Sequence, residues 1–220
     1  MSADLRLYAL VDPERAGGHD LPELAWQLAS GGATLVQLRD KHGATRAMVE
    51  TARAIRDRLA PLGVPLLVND RADVAFAAGA DGVHLGQEDM TVEDARRLLG
   101  PHAVIGLSIK TLQQAAHAPL ELLDYVCVGG VFATTSKDNP DPPIGLSGLR
   151  SIFAKIRARD ADLPIGAIAG IDAGNAGDVI ATGVDGIAVI SALSLASNPQ
   201  AAARDLRGIV EAALAKRQAA

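Results

Sequence analysis

The chain has 220 residues and 49% hydrophobic content, enough for a sizeable core and too much for a disordered polypeptide. Lys and Arg total 21 against 26 Asp and Glu, a formal net charge of −5, and aromatic residues make up 3%, so the basic surface and stacking platforms of a nucleic-acid or anionic-membrane binder are absent. An anionic ligand would have to be held by a few local cations.

The first residues, MSADLRLYALVD, carry early acids and no apolar run long enough for a signal peptide, and no segment nears the ~20 apolar residues of a membrane span. The single cysteine, Cys127, cannot form an internal disulfide and reads as a small buried hydrophobe. A reducing, cytoplasmic setting is the expectation, and a homo-oligomer is left open.

Strand-like apolar runs then follow in order: LRLYALV (5–11), TLVQL (34–38), PLLVN (65–69), GVHLG (82–86), VIGLSI (104–109), YVCVG (125–129), PIGAIAG (164–170) and GIAVIS (186–191). Helical segments such as LPELAWQLAS (21–30) and ATRAMVETARAIRDRLA (44–60) separate them, with apolar residues at three- and four-residue spacing. Near-continuous apolar strands are buried on both faces, and helical crossovers join parallel neighbours. The pattern predicts a closed (β/α)₈ TIM barrel of the α/β class, one domain over 1–220, slightly shorter than the ~250 residues typical of that fold. An internal echo supports it: AAGADGVHLG (77–86) and ATGVDGIAVI (181–190), with ASGGATLVQL (29–38) as a looser copy. An open doubly wound sheet is the alternative, but no Gly-x-Gly-x-x-Gly turn follows the first strand.

Active sites of such barrels form at the C-terminal strand ends, which here are polar. The second strand is followed by Gln37, Arg39 and Lys41, the third by Asn69 and Asp70, the fourth by Gln87, Glu88 and Asp89, and the fifth carries Ser108 and Lys110. Asp70 and Asp89 would each serve as a helix cap if taken alone; together they suit Mg²⁺ with oxygen ligands and bound phosphate. Arg39 and Lys41, two apart on an extended segment, can point to one side. His84 reads as a hydrogen-bonded interior histidine, with no second histidine at a zinc spacing. The loop GGVFATTSKDNPDPP (129–143) offers three hydroxyls and Lys137, a set that suits phosphate, although such residues also build ordinary turns. The glycine-containing ends AIAGIDAGN (167–175) and AVISALS (188–194) would let backbone amides approach a phosphate between the last two loops.

Taken in order, VQLRDK, VNDR, HLGQED, GLS, FATTSK, AGI and AVISAL resemble the thiamine phosphate synthase family over nearly the whole chain. The resemblance implies a (β/α)₈ barrel that joins 4-amino-2-methyl-5-hydroxymethylpyrimidine diphosphate to a thiazole phosphate, plain or 2-carboxylated, releasing diphosphate and forming thiamine monophosphate. It would place the pyrimidine diphosphate on Gln37, Arg39, Lys41, Asn69, Ser108 and Lys137, with the intervening Leu38 and Asp40, and Mg²⁺ on Asp70 and Asp89. It would place the thiazole phosphate on Thr134, Ser136, Gly170, Ile190 and Ser191, with Thr135 in the same hydroxyl run. Arg39, Lys41, Ser108 and Lys137 would carry catalysis by stabilising diphosphate as it leaves a pyrimidine methylene cation. The chain departs from the family pattern at Gly129-Gly130 for Gly-Pro, at Ser136 for the second threonine of Thr-x-Thr-Lys, at Ala169-Gly170-Ile171 for Gly-Gly-Ile, and in the longer DNPDPP run. A related thiazole tautomerase uses a histidine where this chain has Gly130 and lacks the paired aspartates. A non-catalytic phospholigand sensor on the same barrel would bind without releasing diphosphate.

Overall fold

Each of the eight apolar runs becomes a parallel strand in the computed structural model, which describes residues 3–134 and 142–219. They are β1 (Leu7–Val11), β2 (Leu35–Leu38), β3 (Leu66–Asn69), β4 (Gly82–Leu85), β5 (Val104–Ile109), β6 (Tyr125–Val128), β7 (Ile165–Ile168) and β8 (Gly186–Val189). Their order in the sheet is their order in the chain, and β8 closes on β1 through pairs such as Tyr8 with Ala188. That closure excludes the open sheet.

Strand residues alternate between two cores. Leu7, Ala9 and Val11 of β1 face outward into the layer under the helices, whereas Tyr8 and Leu10 face the barrel interior with Leu35, Leu67, Tyr125, Cys127, Ile168, Ala188 and Ile190. Both faces are therefore dry, which is why the strands show no polar alternation at their lower ends. The outer layer is completed by α1 (Leu21–Ser30), α2 (Thr45–Leu59), α3 (Ala72–Ala78), α4 (Val92–Leu99), α5 (Leu112–His117), α6 (Gly145–Arg157), α7 (Ala176–Ile180), a short α8 (Ser191–Ser194) and α9 (Pro199–Gln218). On α2 the buried set is Met48, Ala52, Ile55 and Leu59, one stripe at helical spacing, and each of its large side chains contributes about 1.5–3 kcal/mol through burial.

The internal echo has a physical cause at the lower rim. Asp81, the residue before β4, accepts the amide of Leu66 at the start of β3 at 2.8 Å, and its own amide donates to the Leu66 carbonyl at 2.9 Å. Asp185 repeats this before β8 with the Ile165 amide at 2.9 Å, and Asp124 before β6 with that of Ile105 at 2.8 Å. Thr34 takes the same place before β2, its hydroxyl 3.1 Å from the Leu7 amide. The glycine after the aspartate is equally constrained, because a Cβ on Gly82 would lie 1.8 Å from the Val104 carbonyl oxygen and one on Gly186 would lie 1.6 Å from that of Leu5.

Candidate active site

The interior residues nearest the upper mouth are polar and joined. Gln37 of β2 donates through Nε2 to the Tyr8 hydroxyl of β1. Tyr8 and Tyr125 share a hydrogen bond of 2.9 Å, the Tyr125 hydroxyl lies 2.7 Å from His84 Nδ1, and His84 Nε2 lies 2.9 Å from Ser108 Oγ. The chain thus runs from β2 across the barrel to β5. Burial pushes both phenols above their usual range, so both stay protonated near neutrality. Gly106 makes room for it: a Cβ there would fall 2.0 Å from Tyr125 Cζ. His84 is the hydrogen-bonded interior histidine expected from its position, and Cys127 is buried in the same wall.

Above this floor, Gln37 Oε1 and Asn69 Nδ2 are buried and have no hydrogen-bond partner among the described residues. Both line one small cavity with Arg39, His84 and Ser108. A buried acceptor and a buried donor left open at one cavity form a site for a ligand that supplies the complements.

The charged groups stand around the rim of that cavity. Arg39 pairs with Asp12, at the top of β1, and Lys41 pairs with Asp70, at the top of β3. Arg39 and Lys41, expected to point to one side, are drawn to carboxylates on the two strands that flank β2. Asp70 adopts a left-handed backbone with φ 62°, and its carboxyl sits above the usual range because burial and the neighbouring Asp89 outweigh the lowering effect of Lys41. Asp89 Oδ2 accepts the Gly86 amide at 2.7 Å. Neither aspartate caps a helix, since the N-cap of α3 is Arg71 and that of α4 is Thr91. Among the described residues no three His, Cys, Asp or Glu side chains form a metal cluster; Asp70 and Asp89 stand together as a pair.

Other expected residues fall nearby with different engagements. Gln87 Nε2 donates to the Ser108 carbonyl at 2.6 Å, bracing the top of β5. The Asp40 carboxylate accepts the Gly43 amide at 2.7 Å and that of His42 at 3.1 Å, which fixes the turn after β2. The Leu38 side chain lies in the outer core, so only its backbone reaches the mouth.

The far side of the mouth is a separate pocket. Thr134, Ala169, Gly170, Ile171, Ile190 and Ser191 line it, at the ends of β6, β7 and β8. Ala169 and Gly170 both have positive φ, 95° and 64°, and a Cβ on Gly170 would lie 2.4 Å from the Ala133 carbonyl oxygen. The loop after β6 is anchored over it by Phe132 N to Ala169 O at 3.1 Å and Ile144 N to Gly130 O at 2.9 Å. Thr135, Ser136 and Lys137 lie outside the described residues.

Sequence reasoning did not find Asp12, Tyr8 or Tyr125. Asp12 follows β1 as Asp70 follows β3, so strand-end position was an available signal; the tyrosines sit inside apolar runs and offered none. A groove at the opposite end of the barrel holds Asp4, Arg6, Arg157, Asp185 and Arg217, but these charges satisfy one another, Arg157 with Asp185 at 2.8 Å and Arg6 with Asp4 at 2.5 Å. Among the described residues no helix is long and apolar enough to cross a membrane.

Residues 7–193 match the family described as TMP-TENI, thiamine monophosphate synthase. A thiamine-phosphate synthase of Agrobacterium fabrum is 52% identical over 98% of each chain, and one of Albidiferax ferrireducens is 47% identical over 94% of this chain and 93% of its own. Among solved structures, a thiamine phosphate pyrophosphorylase from Pyrococcus furiosus matches with a TM-score of 0.83 and 39% identity, over 96% of this chain and 98% of that one.

Proposed function

Because the chain belongs to the thiamine monophosphate synthase family, we propose that it catalyses the transfer that forms thiamine phosphate, joining 4-amino-2-methyl-5-hydroxymethylpyrimidine diphosphate to 4-methyl-5-hydroxyethylthiazole phosphate and releasing diphosphate, together with carbon dioxide where the thiazole carries a 2-carboxylate. The observation that carries the reading is the division of the mouth: an open acceptor and donor on Gln37 and Asn69 in the floor, cations and paired carboxylates on one side, and a glycine-floored pocket on the other.

On this reading the pyrimidine ring lies on Gln37, Asn69 and Ser108, with its diphosphate toward Arg39, Lys41 and Lys137. The thiazole phosphate lies against Gly170, Ile190, Ser191 and Thr134, with Thr135 and Ser136 beside it. The carbon–oxygen bond breaks with its electron pair leaving on diphosphate, and the thiazole nitrogen donates its lone pair to the methylene carbon. Arg39 and Lys41 stabilise the charge gathering on the departing group, which grows only toward the transition state. The apolar floor wall, with Leu10, Cys127, Ile168 and Ile190, keeps water from trapping the methylene cation.

The donor set fits Mg²⁺. Asp70 and Asp89 stand close enough that one carboxylate raises the affinity of the other for a proton, a penalty a divalent cation removes, and Mg²⁺ needs only one or two carboxylates when substrate phosphate and water complete its shell. Bound there, Mg²⁺ supplies Lewis-acid stabilisation of the leaving diphosphate. Small molecules are the partners this site calls for, and a cytoplasmic setting goes with them. Incubation with both substrates and Mg²⁺ tests the proposal: diphosphate and thiamine phosphate should appear in equal amounts, and binding of both substrates without diphosphate release would overturn it.

A further inference from the structure

The hydrogen bonds of the barrel floor have a direction. Gln37 Nε2 can only donate, so the Tyr8 oxygen accepts from it, and the single phenolic proton of Tyr8 goes to Tyr125. Tyr125 then gives its own proton to His84 Nδ1, 2.7 Å away. With Nδ1 accepting, a neutral imidazole carries its proton on Nε2, which donates to Ser108 Oγ at 2.9 Å. The Ser108 proton is left to point into the cavity. At the other end, the Gln37 oxygen faces the same cavity as an open acceptor.

Turning the Gln37 amide over would reverse every link, because each hydroxyl and the imidazole has one proton to place. Tyr8 would donate to Gln37 Oε1, His84 would move its proton to Nδ1, and Ser108 would donate to His84 Nε2. Gln37 would then present a donor to the cavity and Ser108 an acceptor. A mixed state would set two donors or two acceptors face to face at a buried link, where nothing compensates them.

We infer that Tyr8, Tyr125 and His84 are positioning residues that couple the Gln37 amide to the Ser108 hydroxyl, so that the floor always offers one acceptor and one donor together and thereby selects a 4-aminopyrimidine over its 4-oxo counterpart. The amino compound presents an N–H donor beside a ring-nitrogen acceptor and meets the arrangement in the structure. The 4-oxo compound presents a carbonyl acceptor beside a ring N–H and requires the reversed chain. Burial keeps both phenols protonated, so neither tyrosine loses its proton near neutrality. The selectivity half rests on the pyrimidine occupying this floor, as proposed above; the coupling half does not.

Two measurements separate the halves. Side-chain ¹⁵N NMR of His84 in the ligand-free protein should show Nε2 protonated in the parent. In Gln37→Glu, whose carboxylate can only accept from Tyr8, the proton should move to Nδ1, although residue 37 does not touch His84. Adding Tyr8→Phe should abolish the response by cutting the chain, and an unmoved tautomer in a folded Gln37→Glu protein would overturn the coupling. Should that variant fail to fold, Tyr125→Phe decides the same question: His84 should lose its fixed tautomer, and an unchanged Nε2-protonated signal would overturn the coupling. Kinetics with 4-amino and 4-oxo pyrimidine diphosphates then test selectivity. Tyr125→Phe should cut the kcat/KM ratio between them by about tenfold, the effect of one buried hydrogen bond to the wrong partner. A responsive tautomer with an unchanged ratio would leave the coupling standing and overturn the pyrimidine placement.

Discussion

Arg39, at the top of β2, donates to the carboxylate of Asp12, at the top of β1, and only 2% of that aspartate side chain is exposed. The other Asp12 oxygen accepts the Glu14 amide at 2.9 Å, so the carboxylate is fixed from both sides and holds the guanidinium over the cavity. Removing one member of such a pair leaves the other charge without compensation. Asp12→Ala should therefore lower unfolding stability by about 3–5 kcal/mol and, through a misplaced Arg39, reduce kcat/KM by up to about a hundredfold. Asp12→Asn keeps the bond from Glu14 and should fall between the two proteins in chemical denaturation. Equal kcat/KM in Asp12→Ala and the parent would show that Arg39 needs no such support.

Asp70→Asn and Asp89→Asn should each weaken the Mg²⁺ dependence of turnover by on the order of 10–100-fold while leaving the melting temperature unchanged or slightly higher. The sign on stability follows from the pair itself. Burial and Asp89 push the Asp70 carboxyl above its usual range, so ionising it opposes folding, and neutralising either member relieves that opposition near neutral pH. Magnesium titrations and thermal melts on the same samples check both halves.

Gly170→Ala addresses the other side of the mouth. The residue has φ 64°, and its Cβ would press on the Ala133 carbonyl oxygen and on Phe132 Cβ, at 2.4 and 2.7 Å. The loop after β6 must move away from the pocket shared with Ser191. The half-saturating thiazole phosphate concentration should rise about tenfold or more, with the pyrimidine diphosphate requirement little changed and about 1–3 kcal/mol of backbone strain added. Titrating each substrate in turn separates this from a general loss of fold.

What the sequence made legible was whatever repeats or sits at strand ends. The apolar runs and the polar residues after them are local signals, and they located the barrel, Gln37, Asn69, Asp70, Asp89, Ser108 and Gly170. Asp81 and Asp185 at the lower rim were visible as an echo without their reason, because each accepts an amide from the strand that precedes it in the chain. Tyr8 and Tyr125 were not legible at all: they meet across the barrel although they stand 117 positions apart in the chain, and each is disguised in an apolar run. The separate leanings of Arg39 and Lys41 depended on carboxylates supplied by two other strands, which spacing along β2 could not reveal.

Gly106 gives the sharpest test of the barrel floor, since the same substitution elsewhere in the chain should have the opposite sign. A Cβ on Gly106 would lie 2.0 Å from Cζ and 2.4 Å from the hydroxyl oxygen of Tyr125. The ring has little room to retreat, because the Tyr8 ring packs against it edge-on at 5.8 Å and His84 stacks on it at 5.5 Å. Gly106→Ala should lose about 1–3 kcal/mol through overpacking and should also release the His84 tautomer by breaking the link to Tyr125. Gly208, exposed within α9, has nothing within 4 Å of its Cβ position, so Gly208→Ala should gain about 0.5–1 kcal/mol from helix propensity alone. Denaturant unfolding of the two variants beside the parent reads both values. If Gly106→Ala were as stable as Gly208→Ala, the Tyr125 ring would not occupy the centre of the barrel floor.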